Sequence, residues 1–155
     1  MIQVPAIPTG LAGPTPYLIC RDADAAIGFY CRIFGATELM RLPGPDGKLM
    51  HAMLKLAEGH LMLADECPEM GALGPQAGSS GAVTLHLYVA DVDDTLAAAV
   101  EAGAKLTMPA TDMFWGDRYG RLEDPFGHQW SLATHLRDMT ADEMQLAARS
   151  AFSAN

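Results

Sequence analysis

An internal repeat constrains this chain more tightly than anything in its composition. The segment Leu18-Ile-Cys-Arg-Asp22-Ala-Asp24, followed by a helical stretch to Gly35-Ala36-Thr37, returns as Leu87-Tyr-Val-Ala-Asp91-Val-Asp93, a helical stretch, and Gly103-Ala104-Lys105. Asp91 follows Asp22 by 69 residues and Gly103 follows Gly35 by 68. Such self-similarity marks a structural unit used twice. Each copy reads as an apolar strand, an Asp suited to cap a helix N-terminus, about three helical turns, and a Gly to close them.

Short strand-like runs follow each helix. In the first half they are Thr37–Arg41, Leu49–Leu56 and His60–Asp65, separated by turn chemistry at Pro43-Gly-Pro-Asp-Gly47 and Glu58-Gly59. In the second they are Leu106–Met108, a stretch around Tyr119–Leu122, and Gln129–Thr134. Each half is therefore βαβββ, and the class is α+β. The expected organisation is an extended Pro-rich arm over 1–13, a first module over 14–67, a Gly/Pro/Ser-rich linker over 68–81, a second module over 82–137 and a C-terminal helix over 138–155. Thr140-Ala-Asp-Glu143 has the spacing of a capping box for that last helix.

Composition narrows the partners. The 155 residues are 50% hydrophobic, and no apolar run approaches the ~18 residues of a membrane span. The N-terminus lacks the basic start and apolar core of a signal peptide, which points to the cytoplasm. Cys20, Cys31 and Cys67 have no CxxC or Cys/His spacing and read as reduced thiols. A net charge of −9 disfavours nucleic acid and anionic membrane and would attract a cationic ligand, although acidity also serves plain solubility.

Strand alternation sorts side chains by face. Val83, Leu85, Leu87 and Val89 belong to a face that packs helices, and Thr84, His86 and Tyr88 to its opposite. Gln129, Ser131, Ala133 and His135 share a face on the last strand, as do His51, Met53 and Lys55, and His60, Met62 and Ala64, on two earlier ones. The candidate ligand-binding set is Tyr17, His51, Met53, Met62, Thr84, His86, Tyr88 and Ser131, with Trp115 and Arg118, beside Tyr119, as mouth or subunit-contact residues. Aromatics and Met supply area while a few polar groups fix orientation. A hydrogen-bonded core with no ligand fits the same residues.

One further run, Phe114-Trp-Gly-Asp-Arg-Tyr-Gly-Arg-Leu-Glu-Asp-Pro-Phe-Gly-His-Gln-Trp-Ser131, completes a resemblance. With the repeat, over about residues 14 to 137, the chain resembles the vicinal oxygen chelate superfamily of glyoxalases, extradiol dioxygenases and bleomycin-resistance proteins. Phe114–Gly120 and Ala133-Thr-His135 are similar to its glyoxalase-like branch associated with phosphonate operons. The resemblance implies two βαβββ modules forming a curved mixed sheet around a shared cavity, in a homodimer. The Asp124-Pro-Phe-Gly127 turn suits a tight hairpin connection and is read as structural.

Metal-dependent members of that superfamily carry His or Glu on the first and last strands of each module, positions that fall here near Thr15, Met62, Thr84 and Ser131. None is a good ligand for a divalent ion, so no metal or other cofactor is expected there. A displaced site using His51 and His86, with Glu38 or Glu123, is the alternative; His60 lies near the same strands. The leading expectation is a metal-free protein binding a small, partly apolar or cationic molecule in a groove between modules. Pro16-Tyr-Leu-Ile-Cys-Arg-Asp22, similar to the opening of bleomycin-resistance proteins, suggests sequestration of a toxic or antibiotic compound. The alternative is a lyase, isomerase or oxidoreductase with His51 or His86 as catalytic base. The ligand's identity stays open.

Overall fold

The computed structural model describes residues 4–79 and 81–153. Met1–Gln3 of the arm, Ser80 of the linker, and Ala154 and Asn155 of the last helix lie outside the described residues. The chain divides into two compact units, Met1–Ser79 and Ser80–Asn155.

In the first unit, strand β1 (Tyr17–Cys20) leads into helix α1 (Ala23–Phe34). The Asp22 carboxylate accepts from Ala25 N at 2.9 Å and caps the helix start. Gly35, at φ 69°, closes it in the left-handed conformation that glycine adopts without strain. A second tie fixes the helix to the sheet: Ala23 N donates to Asp65 Oδ1 at 2.7 Å. Strands β2 (Thr37–Pro43), β3 (Leu49–Leu56) and β4 (Gly59–Asp65) complete a sheet of order β1-β4-β3-β2. Only the β1/β4 pair is parallel.

The second unit repeats the plan with β5 (Thr84–Tyr88), α2 (Val92–Glu101), β6 (Lys105–Asp112), β7 (Asp117–Glu123) and β8 (Gln129–His135), in order β5-β8-β7-β6. Asp91 caps α2 by accepting from Asp94 N at 2.9 Å. Val92 N, the counterpart of Ala23 N, donates to Thr134 Oγ1 at 2.9 Å. A carboxylate in one copy and a hydroxyl in the other thus do the same work, each 42 residues beyond the amide it holds.

One face of each sheet packs its helix. Leu18, Leu54, Leu61 and Leu63 are buried against Ile27, Phe29 and Tyr30 in the first unit's core. Leu122, Trp130 and Leu132 with Val92, Leu96 and Ala99 form the second. Burial of such side chains stabilises by about 1.5–3 kcal/mol each. Asp124 is only 3% exposed; its Oδ2 accepts from Trp130 Nε1 and its Oδ1 from Phe126 N and His128 N, all at 2.9 Å. The Asp-Pro-x-Gly turn is therefore a core staple.

The α+β fold of two βαβββ units is as the repeat predicts, built as two four-stranded mixed sheets. Local limits differ for physical reasons. Strand β1 starts at Tyr17 rather than Thr15, because Pro14 and Pro16 lack N–H donors; the Pro16 carbonyl still accepts from Met62 N at 2.9 Å. Strand β6 runs past Met108 to Asp112 although Pro109 lies inside it. An edge strand tolerates that proline, and the ladder shifts register between Met108 and Thr111. Part of the expected linker is folded onto the first unit: Pro68–Met70 forms a single 3-10 turn and Gly74 N donates to Glu66 Oε1 at 2.9 Å. Helix α3 (Ala141–Ser153) opens on the expected capping box, Glu143 Oε2 accepting from Thr140 N at 2.8 Å, and none of its described residues is buried.

Candidate functional site

The faces opposite the helices carry the chemistry. In the first sheet, cross-strand register sets Tyr17, Met62, Met53 and Met40 in one row across all four strands. The Tyr17 hydroxyl lies 2.8 Å from His51 Nδ1, and the two rings meet edge to face at 5.4 Å. Leu42 is paired with His51. The result is a soft, partly exposed apolar surface with one phenol–imidazole handle; Tyr17 is 49% exposed and Met40 44%. Of the predicted residues, Tyr17, His51, Met53 and Met62 are brought together here.

In the second sheet the equivalent row is His86, Ser131, Arg121 and Met108. His86 Nδ1 lies 2.7 Å from Ser131 Oγ, and its ring meets Tyr88 edge-on at 4.9 Å and stacks on Tyr119 at 6.1 Å. Thr84 is at the strand start, paired with Gln129. Beside this row lies a polar cluster around Asp117, which is 5% exposed. Its Oδ2 accepts from the Tyr88 hydroxyl and its Oδ1 lies against His135 Nδ1, both at 2.8 Å. The far nitrogen of His135 meets Asp138 at 2.9 Å.

Burial alone would raise the Asp117 carboxyl, but hydrogen bonds from His135 and Tyr88, the His135 charge and Trp115 outweigh it and hold the group below its ordinary value. His135 moves the other way, raised by its hydrogen bonds to Asp117 and then Asp138. Tyr88 is raised chiefly because its phenolic proton is held by Asp117.

Two mouth residues part company. Trp115 packs edge to face on Tyr119 at 5.6 Å and joins the aromatic surface. Arg118 lies on the helix side of β7, where it donates to Asp93 Oδ1 and Asp112 Oδ1, each at 2.8 Å. Arg41 does the same in the first unit, joining Asp24 and Glu38. Arg118 is thus tied to scaffold carboxylates. The sequence reading missed Asp117 and Arg121 because it did not extend alternation along β7; period two from Asp117 puts both, with the mouth candidate Tyr119, on the open face.

The residues do not fit a divalent metal centre. Strand pairing places Tyr17 beside Met62 in the first sheet, a phenol with a thioether, and His86 beside Ser131 in the second, an imidazole with a hydroxyl; neither pair is a divalent-ion donor set. For the displaced alternative, His51 lies on β3 of the first unit and His86 on β5 of the second, each with its Nδ1 against a hydroxyl. Glu38 is engaged by Arg41, and Glu123 Oε2 accepts from Gln129 Nε2 at 2.7 Å. Among the described residues no three His, Cys, Asp or Glu side chains converge as ligands. Two surface cavities, about 320 Å³ near Arg21, Asp46 and Lys48 and about 480 Å³ between α2 and β6, are lined by none of the candidates.

Residues 12–132 match the family model described as the glyoxalase/bleomycin resistance protein/dioxygenase superfamily. The chain belongs to this superfamily. Among its relatives is an uncharacterized protein of Mycobacterium bovis, 45% identical over 139 residues that cover 88% of this chain and 91% of the relative. Similar solved structures include TioX from Micromonospora sp. ML1, 30% identical with a TM-score of 0.60, covering 80% of this chain and 100% of that one. Protein PA1353 from Pseudomonas aeruginosa is 27% identical with a TM-score of 0.65, covering 80% and 98%. Superfamily membership fixes the βαβββ plan; chemistry within such a superfamily is decided by the side chains on the open faces. Among the described residues no helix is long and apolar enough to cross a membrane.

Proposed function

We propose that this member of the superfamily is a metal-free binder of a modest-sized, partly aromatic small molecule, and that its role is sequestration of a toxic or antibiotic compound. The observation that carries the reading is the partly exposed Tyr17–Met62–Met53–Met40 row with the Tyr17–His51 handle. Thioethers and an aromatic adapt to an irregular apolar ligand, and the handle orients it. The same reading takes the protein to act in the cytoplasm as a homodimer, within the branch associated with phosphonate operons, without nucleic acid or membrane as partner. Its net charge of −9 supports the last part.

The test joins elemental analysis of protein purified without chelator to melting scans of the full chain against antibiotics and metabolites. A ligand that binds only the folded state raises Tm with the logarithm of its concentration. We expect such a rise for an aromatic compound, weakened in Met53→Ala, and no stoichiometric metal. Near-stoichiometric metal lost in His51→Ala or His86→Ala would overturn the reading. It would favour the superfamily's lyase, isomerase or oxidoreductase chemistry, with a histidine as base; with Nδ1 held against a hydroxyl, Nε2 takes the proton in the tautomer in which Nδ1–H donates to that hydroxyl.

A further inference from the structure

Arg121 occupies the middle of the His86–Ser131–Arg121–Met108 row. Its Nε is buried and, among the described residues, has no hydrogen-bond partner. The two other arginines in the strands, Arg41 and Arg118, are each held by two carboxylates. Arg121 forms no ion pair among the described residues, in a chain with 19 acidic residues against 10 basic ones. The acid two positions along its own face, Glu123, is taken up by Gln129 at 2.7 Å. A buried donor without a partner costs stability, and the half-buried guanidinium that carries it has no carboxylate of the described chain to neutralise it, which leaves it open to a partner from outside.

The repeat shows that the fold does not require an arginine at this position. Ser131 corresponds to Met62, and their cross-strand partners are Arg121 and Met53. The first sheet is built equally well with a thioether at that point. Around Arg121 the polar neighbours are hydrogen-bonding but uncharged or titratable: the Ser131 hydroxyl, paired with it in register, and the imidazole of His86 that holds Ser131 at 2.7 Å. Tyr119, two residues back on the same strand, adds an aromatic face that stacks with His86.

We infer that Arg121, with Ser131 and His86 beside it, anchors an oxyanion group of the ligand, a carboxylate or a phosphoryl, on the open face of the second sheet. A guanidinium fork matches the paired oxygens of either group, and Ser131 supplies a third donor. This rests on the binding reading above and sharpens it: the ligand carries an anionic end despite the acidity of the chain.

Three probes of nearly one shape separate charge from stacking: benzoate, benzamide and benzamidine, titrated into the full chain with inorganic phosphate alongside. The readout is the Arg Nε–H region of a ¹H–¹⁵N NMR spectrum. Benzoate or phosphate is expected to shift the Arg121 Nε–H resonance saturably, whichever does so naming the preferred oxyanion, while benzamide and benzamidine do not. Arg121→Met, which installs the first sheet's own residue, should fold and weaken binding of the effective anion by roughly tenfold or more; Arg121→Lys should weaken it less. Anion binding unchanged in Arg121→Met, no saturable shift with either anion, or equal binding of benzamidine would overturn the inference. An uncharged compound that stabilises wild type and Arg121→Met equally would sink this inference and leave the binding reading standing. Stoichiometric metal lost in His51→Ala would sink the binding reading, while the titration would still decide Arg121.

Discussion

Asp117 takes two hydrogen bonds while only 5% exposed, so its removal strands the Tyr88 hydroxyl and the His135 ring together. Asp117→Asn leaves one amide oxygen for two half-exposed partners and should cost about 0.5–1.5 kcal/mol, read as a lower denaturant midpoint with an unchanged slope. The same cluster sets a pH profile. Because the folded Asp117 carboxyl lies below its ordinary 3.8, its stabilisation is present above that value and lost as pH falls through the lowered one. Because folded His135 lies above its ordinary 6.5, its stabilisation is full below 6.5 and lost as pH rises through the raised value. Tm should therefore be highest between about pH 4 and 6.5. The alkaline decline should shrink in His135→Gln, and melting scans across pH would show it; a decline of equal size in that variant would remove His135 as its cause. The motif Phe-Trp-Gly-Asp-Arg-Tyr-Gly announced that something local happened here, but a linear motif does not say which of its side chains turn inward. Trp115 and Arg118 look alike as site candidates in sequence, and the structure separates them: Trp115 sits in the turn before β7 against Tyr119, while Arg118 within β7 faces Asp93 and Asp112.

At the scale of elements, β7 and α2 meet so closely that Gly120 is required by packing. A Cβ added there would lie 2.5 Å from Leu96 Cδ1 and 3.1 Å from the Met108 carbonyl. Gly120→Ala should destabilise by about 1–3 kcal/mol through overpacking, measured by chemical denaturation. Asp91→Ala removes the cap of α2 and should cost about 0.5–2 kcal/mol in the same assay. Helices and their caps were legible in the sequence because Asp22, Gly35, Asp91 and the Thr140–Glu143 box act on neighbours within a turn. Strand limits were less so. Pro109 reads locally as a stop, yet β6 passes through it because its edge position leaves one side without a partner strand.

For the whole molecule, the doubled βαβββ plan was readable because duplication writes the fold twice and lets each copy check the other. What could not be read was that Asp117 and Arg121 join the polar face of the second sheet, since the limits of β7 fix their parity and nothing local marks those limits. Helix α3 makes the complementary case: with none of its described residues buried, removing residues 141–155 should lower Tm by only a few degrees, checked by calorimetry. A loss of many degrees would mean that the helix is packed in solution.

The exchange of Asp65 for Thr134 at the helix tie, and of Met53 for Arg121 on the open face, has a further consequence. At these positions the two sheets keep one strand order with different side chains. Reading one copy against the other shows an engineer where the backbone plan accepts different chemistry, while the packing around each site still decides what fits: Gly120 stands where the first sheet has Ala52, yet Leu96 leaves it no room for a methyl group.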